Sequence, residues 1–460
     1  MSDWCDSLLA DVTMAEALTS GRNPIAWPGY QPRAAVRYGV GEVAGHEVVA
    51  CVWDFSTYGG SLGEVEAATV SAAAARAIDL RIPLLTIVRT GGTRLQEGVA
   101  ALVGIARAAI ALADLAAAGL PHVSIADNPT TGGVWVSVTS HADLRAGIAG
   151  ATVGFSGPRV ITAMTGVELP AGANTAESAL RSGLLDSVLQ PEDVSSWLAR
   201  AFAAFRPTSG LPESALRAAE PQQTAGWAQV QKARTSDRPA GDALLDLLVV
   251  DAVALRGADD TVRAVVGRSA LDRPTVAVAL AAHRDGKPSP DGFRLLTRAA
   301  TLADRLGCDL CTFVDTPGAN PLPESESAGL APAISEALLH VLACRAPTLA
   351  VVHGEGGSGG ALAATVTDRV LVTETGYFTA LSPEGAAMAL HSTAEQAADR
   401  GGVTPADLCR LGFADAFISE ANGDIGITIA THLAQLAALP QTERLAARRT
   451  RWSGPLPGRC

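Results

Sequence analysis

Four glycine turns, matched in two pairs, carry the chemistry that this sequence offers. Gly91-Gly92-Thr93 follows the apolar run Leu84-Leu85-Thr86-Ile87-Val88, and Gly132-Gly133-Val134 follows His122-Val123-Ser124-Ile125. Further along, Gly318-Ala319 follows Leu310-Cys311-Thr312-Phe313-Val314, and Gly356-Gly357-Ser358-Gly359-Gly360 follows Thr348-Leu349-Ala350-Val351-Val352. A strand that ends in glycine and feeds a helix leaves backbone N–H groups without intrahelical partners, and glycine lets another group approach closely. Two such turns on neighbouring strands can aim two N–H groups at one point. That is an oxyanion hole, suited to charge developing on a thioester or urea oxygen, and one donor of such a hole supplies on the order of 3 kcal/mol. A single turn of this kind is ordinarily packing and nothing more. Matched pairs separated by the same gap of roughly 40 residues favour the chemical reading.

The elements that must hold these turns repeat. Short β-branched runs alternate with Ala-rich helical stretches from about Val36 to Phe205 and again from about Ala264 to Leu439, which predicts layered α/β structure. Between them Arg206 to Thr224 is rich in Pro, Ser, Glu and Gln and reads as a linker, followed by a helix around Trp227 to Arg234. A third landmark closes each pattern, Gly154-Phe155-Ser156-Gly157-Pro158 in the first and Ala380-Leu381-Ser382-Pro383-Glu384-Gly385 in the second. We read two copies of one fold joined head to tail.

Composition removes other classes. The 460 residues are 48% hydrophobic and 18% charged, too apolar for a disordered chain. The most apolar run, Leu244 to Leu255, is crossed by Asp246 and Asp251, which argues against a membrane span. A net charge of −12 argues against a nucleic-acid partner. Seven dispersed cysteines fit a reducing compartment, and Met1 to Ala10 has no basic start of a signal peptide, so a cytoplasmic protein is expected.

Other signals are weaker. Gly354-Glu355-Gly356-Gly357-Ser358-Gly359, with Glu374 beyond it, formally fits a dinucleotide fingerprint, but that strand comes second in its segment and would have to open it. Cys308 and Cys311 fall on opposite faces of a strand, a poor metal site. His353 reads as a core residue, and Glu97 and Glu355 as groups that fix glycine loops or meet arginines. Arg444, Arg448, Arg449 and Arg451 read as a solvated helix end.

Longer motifs resemble a known family. Trp53-Asp54-Phe55-Ser56, Gly59-Gly60-Ser61-Leu62-Gly63, Gly91 through Gly98, Asn128 through Val134 and Gly154 through Ile161 resemble the β subunit of bacterial acetyl-CoA carboxylase carboxyltransferase. Trp227 through Arg234, Arg238-Pro239, Asp315 through Ala319, Gly354 through Leu362 and Ser382 through Gly385 resemble its α subunit. The resemblance implies two tandem crotonase-like ββα domains: a β-like acyl-CoA domain at 36–205 and an α-like biotin domain at 225–440. These would be flanked by an extension at 1–35, the linker at 206–224 and a basic tail at 441–460.

The resemblance also implies roles. Gly91, Gly92, Gly132 and Gly133 would face the acyl-CoA thioester, with Thr93, Arg94, Gln96 and Val134 as acyl-CoA contacts. Gly318, Ala319, Gly359 and Gly360 would face carboxybiotin, with Gly356, Gly357, Ser358 and Ser382 as biotin contacts. Biotin carboxylase and biotin carboxyl carrier protein would be separate partners, and the chain a homodimer or larger homo-oligomer with the site between subunits. The family's four-cysteine zinc ribbon is absent, since Cys5 stands alone before Cys51, so no metal is expected. Asn320-Pro321-Leu322 departs from the family's pattern. That departure leaves two alternatives: a malonyl-type thioester decarboxylase of the same fold, and a non-catalytic assembly subunit.

Overall fold

The computed structural model describes residues 3–15, 21–208, 219–281, 283, 286–419, 424–456 and 458. The chain divides into two compact units, Met1–Ala203 and Ala204–Cys460. Most of the segment read as a linker, 209–218, lies outside the described residues.

Unit 1 is built on a sheet of β1 (Val12–Met14), β2 (Val36–Val43), β3 (His46–Trp53), β4 (Leu84–Thr90), β5 (His122–Thr131), β6 (Leu144–Ile148), β7 (Val153–Gly154) and β8 (Ser187–Leu189). The order is β1-β2-β3-β4-β5-β6-β8, with β7 beside the far end of β5. β1, β2 and β3 are antiparallel, and every pairing from β3 onward is parallel. The extension read at 1–35 thus supplies an edge strand. It also joins the interior of unit 1, because Tyr30 and Ala35 are buried. Helices Glu64–Leu80 and Val99–Ala117 cover one face of the sheet, packing Val70, Ala74, Ala108 and Leu112 on Val49, Cys51, Leu84 and Val88.

Unit 2 repeats this plan. Its strands are β9 (Val249–Leu255), β10 (Val262–Ser269), β11 (Pro274–Leu280), β12 (Asp309–Thr316), β13 (Thr348–Gly357), β14 (Arg369–Val372), β15 (Tyr377–Thr379) and β16 (Ala416–Phe417). The order β9-β10-β11-β12-β13-β14-β16, with β15 beside β13, matches unit 1 strand for strand. β12 and β13 are buried along their whole lengths, as central parallel strands covered on both faces must be. Leu244 and Leu248 of one helix and Ile429 and Leu433 of another pack on Phe313 and Val351.

Two surface features depart from the sequence reading. Helix Val99–Ala117 is, by length and composition alone, long and apolar enough to cross a membrane, although it carries Arg107 and Asp114. Its inner face is buried in unit 1, while Leu95 (77% exposed) and Val99 (72%) begin an outward apolar stripe that continues through Leu102, Val103 and Ile110.

The C-terminal arginines are not a solvated end. Helix Gln441–Ser453 draws three of the four inward. Arg448, 2% exposed, forks onto Asp368 at 2.8 and 2.6 Å and donates to the carbonyls of Val341, Leu342, Cys344 and Ala346. Arg444 reaches the Arg345 carbonyl, and Arg451 pairs with Asp415 at 2.6 Å. Charge density alone suggested water, but the acidic partners and the open carbonyl end of helix Leu330–Ala343 are what decide the outcome.

Candidate active site

β4 and β5 end side by side, with Thr90 paired to Thr130. The two turns that follow touch through their α-carbons. A Cβ added to Gly132 would lie 2.7 Å from the Gly92 Cα, and one on Gly92 would lie 3.4 Å from the Gly132 Cα. Both residues have positive φ, +117° at Gly92 and +69° at Gly132, so contact and conformation each require glycine.

The amides of these turns divide into two sets. Gly91 N–H donates to the Gly59 carbonyl (2.8 Å), Gly92 N–H to Thr90 Oγ1 (3.0 Å) and Gly132 N–H to the Phe155 carbonyl (2.9 Å). The N–H groups of Thr93 and Gly133 have no acceptor among the described residues. Those two residues are neighbours, since a Cβ on Gly133 would come within 3.0 Å of Thr93 Oγ1.

Unit 2 builds the same device at the ends of β12 and β13, where Thr316 pairs with Gly356. Gly318 has φ +139°, and its N–H donates to Thr316 Oγ1 (3.2 Å), as Gly92 does to Thr90. A Cβ on Gly357 would strike the Pro317 carbonyl oxygen at 2.1 Å. Ser358 occupies the place of Gly132, and it keeps the left-handed backbone, at φ +60°. For a non-glycine residue that conformation costs on the order of 1–2 kcal/mol. The N–H groups of Ala319 and Gly359 have no acceptor among the described residues. A Cβ on Gly359 would meet nothing within 4 Å, whereas one on Gly360 would press on the Ala319 N and the Phe293 ring.

Buried ionic networks brace each turn. In unit 1 Arg94 (1% exposed) donates to Ser61 Oγ and the Ser61 carbonyl, to the Tyr30 hydroxyl and to Glu66 at 2.9 Å, and it lies 4.7 Å from the Tyr58 ring centre. Glu66 also accepts from the Gly63 N–H (2.9 Å) and Glu97 from the Glu64 N–H (2.7 Å). Arg94 was expected at an acyl-CoA, but its side chain is spent on Ser61, Tyr30 and Glu66 inside the unit and holds the turn. Val134 is likewise enclosed in the core, while Thr93 and Gln96 are half-buried.

In unit 2 Arg238 grips Asp315 at 2.6 and 2.8 Å, and Asp315 accepts from the Glu355 N–H (3.0 Å). Arg234 spans Glu355 (3.1 Å) and Glu384 (2.7 Å), and the Tyr377 hydroxyl donates to Glu355. Burial first, and then Glu355, holds the Tyr377 phenol far above its ordinary range. Of the residues expected at biotin, Gly356 to Gly360 lie with Gly318 and Ala319. Ser382 caps helix Pro383–Leu390, accepting from the Gly385 N–H at 3.2 Å.

His353 is fully enclosed beside Phe313, and its two ring nitrogens have no partner among the described residues. Burial pushes its pKa down to about 4. An unfolded histidine titrates near 6.5, so between these values the unfolded chain binds the extra proton. The stability held by neutral His353 is complete above about pH 6.5 and is lost as pH falls toward 4. His353→Leu should therefore flatten the acid limb, sparing about 2 kcal/mol at pH 5. Melting the variant and the wild type in parallel from pH 7 to 5 checks this.

Comparison with known proteins agrees with a chain of β-like and α-like parts. Residues 214–453 match the acetyl co-enzyme A carboxylase carboxyltransferase-like family. The acetyl-coenzyme A carboxylase carboxyl transferase subunits beta/alpha of Salinispora arenicola are 38% identical, covering 91% of this chain and 81% of theirs. The probable biotin-dependent acyl-coenzyme A carboxylase beta3 subunit of Mycobacterium bovis is 33% identical, covering 91% and 88%. Among solved structures, the transcarboxylase 12S hexamer with methylmalonyl-coenzyme A and methylmalonic acid bound superposes with a TM-score of 0.79 at 20% identity, covering 94% of this chain and 89% of that one. A single-chain, multi-domain long-chain acyl-CoA carboxylase gives 0.74 at 16% identity over 93% and 45%. These two likenesses establish the fold: tandem crotonase-like domains.

Proposed function

The chain belongs to the acetyl-CoA carboxylase carboxyltransferase family, and from that premise we propose that it is the fused carboxyltransferase component of a biotin-dependent acyl-CoA carboxylase. Unit 1 binds a short acyl-CoA such as acetyl-CoA or propionyl-CoA, and unit 2 receives carboxybiotin on a separate carrier protein. The observation that carries this reading is the matched pair of unused amides in each unit, Thr93 with Gly133 and Ala319 with Gly359.

Carboxylation at the α-carbon passes through an enolate, which places negative charge on the thioester oxygen. The Thr93 and Gly133 amides are fixed before the charge appears, so they stabilise it without reorganising. Biotin supplies the carboxyl group and, once that group has left, a base for the α-proton. The residues of unit 2 fit a urea oxygen: Gly359 is exposed with open room beside it, between the packed Gly357 and Gly360. No side-chain base is required of either unit. Thr93 and Gln96 remain the acyl-CoA contacts of this reading, and Ser358 a biotin contact.

Biotin carboxylase and the biotin carrier protein are the partners this chemistry needs. A homodimer or larger homo-oligomer, with the site formed between subunits, is supported by the outward apolar stripe of Leu95, Val99, Leu102 and Val103, a kind of surface that monomers rarely leave open. The cytoplasm is the setting we infer, supported by six cysteines that form no disulfide among the described residues.

The test is malonyl-CoA consumption by the pure protein, with and without biotinylated carrier protein. Loss that requires the carrier is carboxyl transfer run backwards. Loss without it identifies a decarboxylase, and no binding of any acyl-CoA identifies an assembly subunit.

A further inference from the structure

Arg89 stands one residue before Thr90-Gly91-Gly92, at the end of β4. It is half-buried and held from two sides. Its Nε donates to the Asn128 carbonyl at 2.6 Å, and its guanidinium lies 5.4 Å from the Phe55 ring centre. Phe55 in turn lies under Gly59, whose carbonyl receives the Gly91 N–H. The guanidinium therefore sits beside the very turn that precedes the free Thr93 amide. Its Nη groups have no carboxylate partner among the described residues.

The duplicated unit provides the contrast. Asp315 occupies the same place, one residue before Thr316-Pro317-Gly318, and is neutralised in a buried fork with Arg238. The two copies thus carry opposite charges at one position. In unit 2 the charge is consumed internally, and in unit 1 it is left with its fork open. An arginine fixed through Nε and an aromatic face, with both terminal nitrogens free, is a pre-organised receptor for a planar carboxylate or a phosphate.

We propose that Arg89 is an anion-recognition residue of unit 1, taking a cluster of anionic oxygens on the acyl-CoA: the carboxylate borne by the carboxylated acyl group, or a phosphate of the CoA moiety. This rests on unit 1 being the acyl-CoA side. The residue selects and positions the thioester whose oxygen meets Thr93 and Gly133, and it takes no part in bond making.

Calorimetric titration of the full chain with malonyl-CoA and with acetyl-CoA tests it. R89Q should weaken malonyl-CoA by about ten- to a hundredfold, the worth of hydrogen bonds to a charged group. A loss confined to malonyl-CoA assigns Arg89 to the carboxylate, and an equal loss for acetyl-CoA assigns it to phosphate. Slower modification of Arg89 by phenylglyoxal when malonyl-CoA is bound, read by mass spectrometry on the native protein, is expected as well and needs no variant. R89Q binding both thioesters like wild type, together with an Arg89 modification rate in the native protein that malonyl-CoA leaves unchanged, overturns the proposal alone. Wild-type protein that binds neither thioester overturns the acyl-CoA reading of unit 1 and this proposal with it.

Discussion

Gly132→Ala will lose at least a hundredfold in kcat while most of unit 1 stays folded. The new Cβ would lie 2.7 Å from the Gly92 Cα, well inside contact distance, so one of the two turns must move. Neither can move without displacing an amide, because Gly92 leads directly to Thr93 and Gly132 directly to Gly133. Losing the alignment of one oxyanion donor lowers kcat by a factor of 10² to 10³. The backbone term is separable. Gly150 has nearly the same φ, +72°, and a Cβ there would meet nothing within 4 Å. Gly150→Ala should therefore show only the left-handed strain, on the order of 1–2 kcal/mol in stability, with activity kept. Rates and melting curves for the two variants together separate strain from misalignment.

Arg448→Met should cost unit 2 about 3–5 kcal/mol and lower Tm by on the order of 10 °C. The guanidinium satisfies both oxygens of Asp368 and four backbone carbonyls in a place that water does not reach. Methionine preserves volume but leaves the Asp368 carboxylate short of its main counter-charge and strands the last carbonyls of helix Leu330–Ala343. Breaking a buried ion pair from one side is costly for that reason, whatever the intact pair contributes. Arg449 is one residue away and exposed, so Arg449→Met should stay within about 0.5 kcal/mol. Denaturant melts of the two variants read the difference directly.

These cases show what the sequence could disclose. The duplication was legible because like backbone tasks leave like residues: glycine in both turns of each unit, and threonine two positions before the glycine it caps. Thr90 and Thr316 do the same work in the two units, and their spacing to Gly92 and Gly318 is written in the chain. Which amides remain free was not legible, because it depends on acceptors far along the sequence, Gly59 for Gly91 and Phe155 for Gly132.

Long cationic side chains were the least legible. Arg94 sits among residues that resemble a substrate loop, yet Glu66, on a different element, draws it inside. The C-terminal arginines have the composition of a water-facing helix, but Asp368 and Asp415 lie waiting in strand-adjacent turns. Arg89 gave no sequence signal. It stands out only when its position is set against Asp315 in the second unit.

In the proposed reaction main-chain amides, not side chains, stabilise the charge in both halves. Replacing the amide N–H of Gly133 with an ester oxygen, by incorporating glycolate at that position, removes one donor and leaves every side chain in place. The same change at Ala319, with lactate, tests the second unit. We expect kcat for carrier-dependent malonyl-CoA turnover to fall by a hundredfold or more in each, with KM nearly unchanged. Turnover at the wild-type rate in either ester protein would contradict the claim.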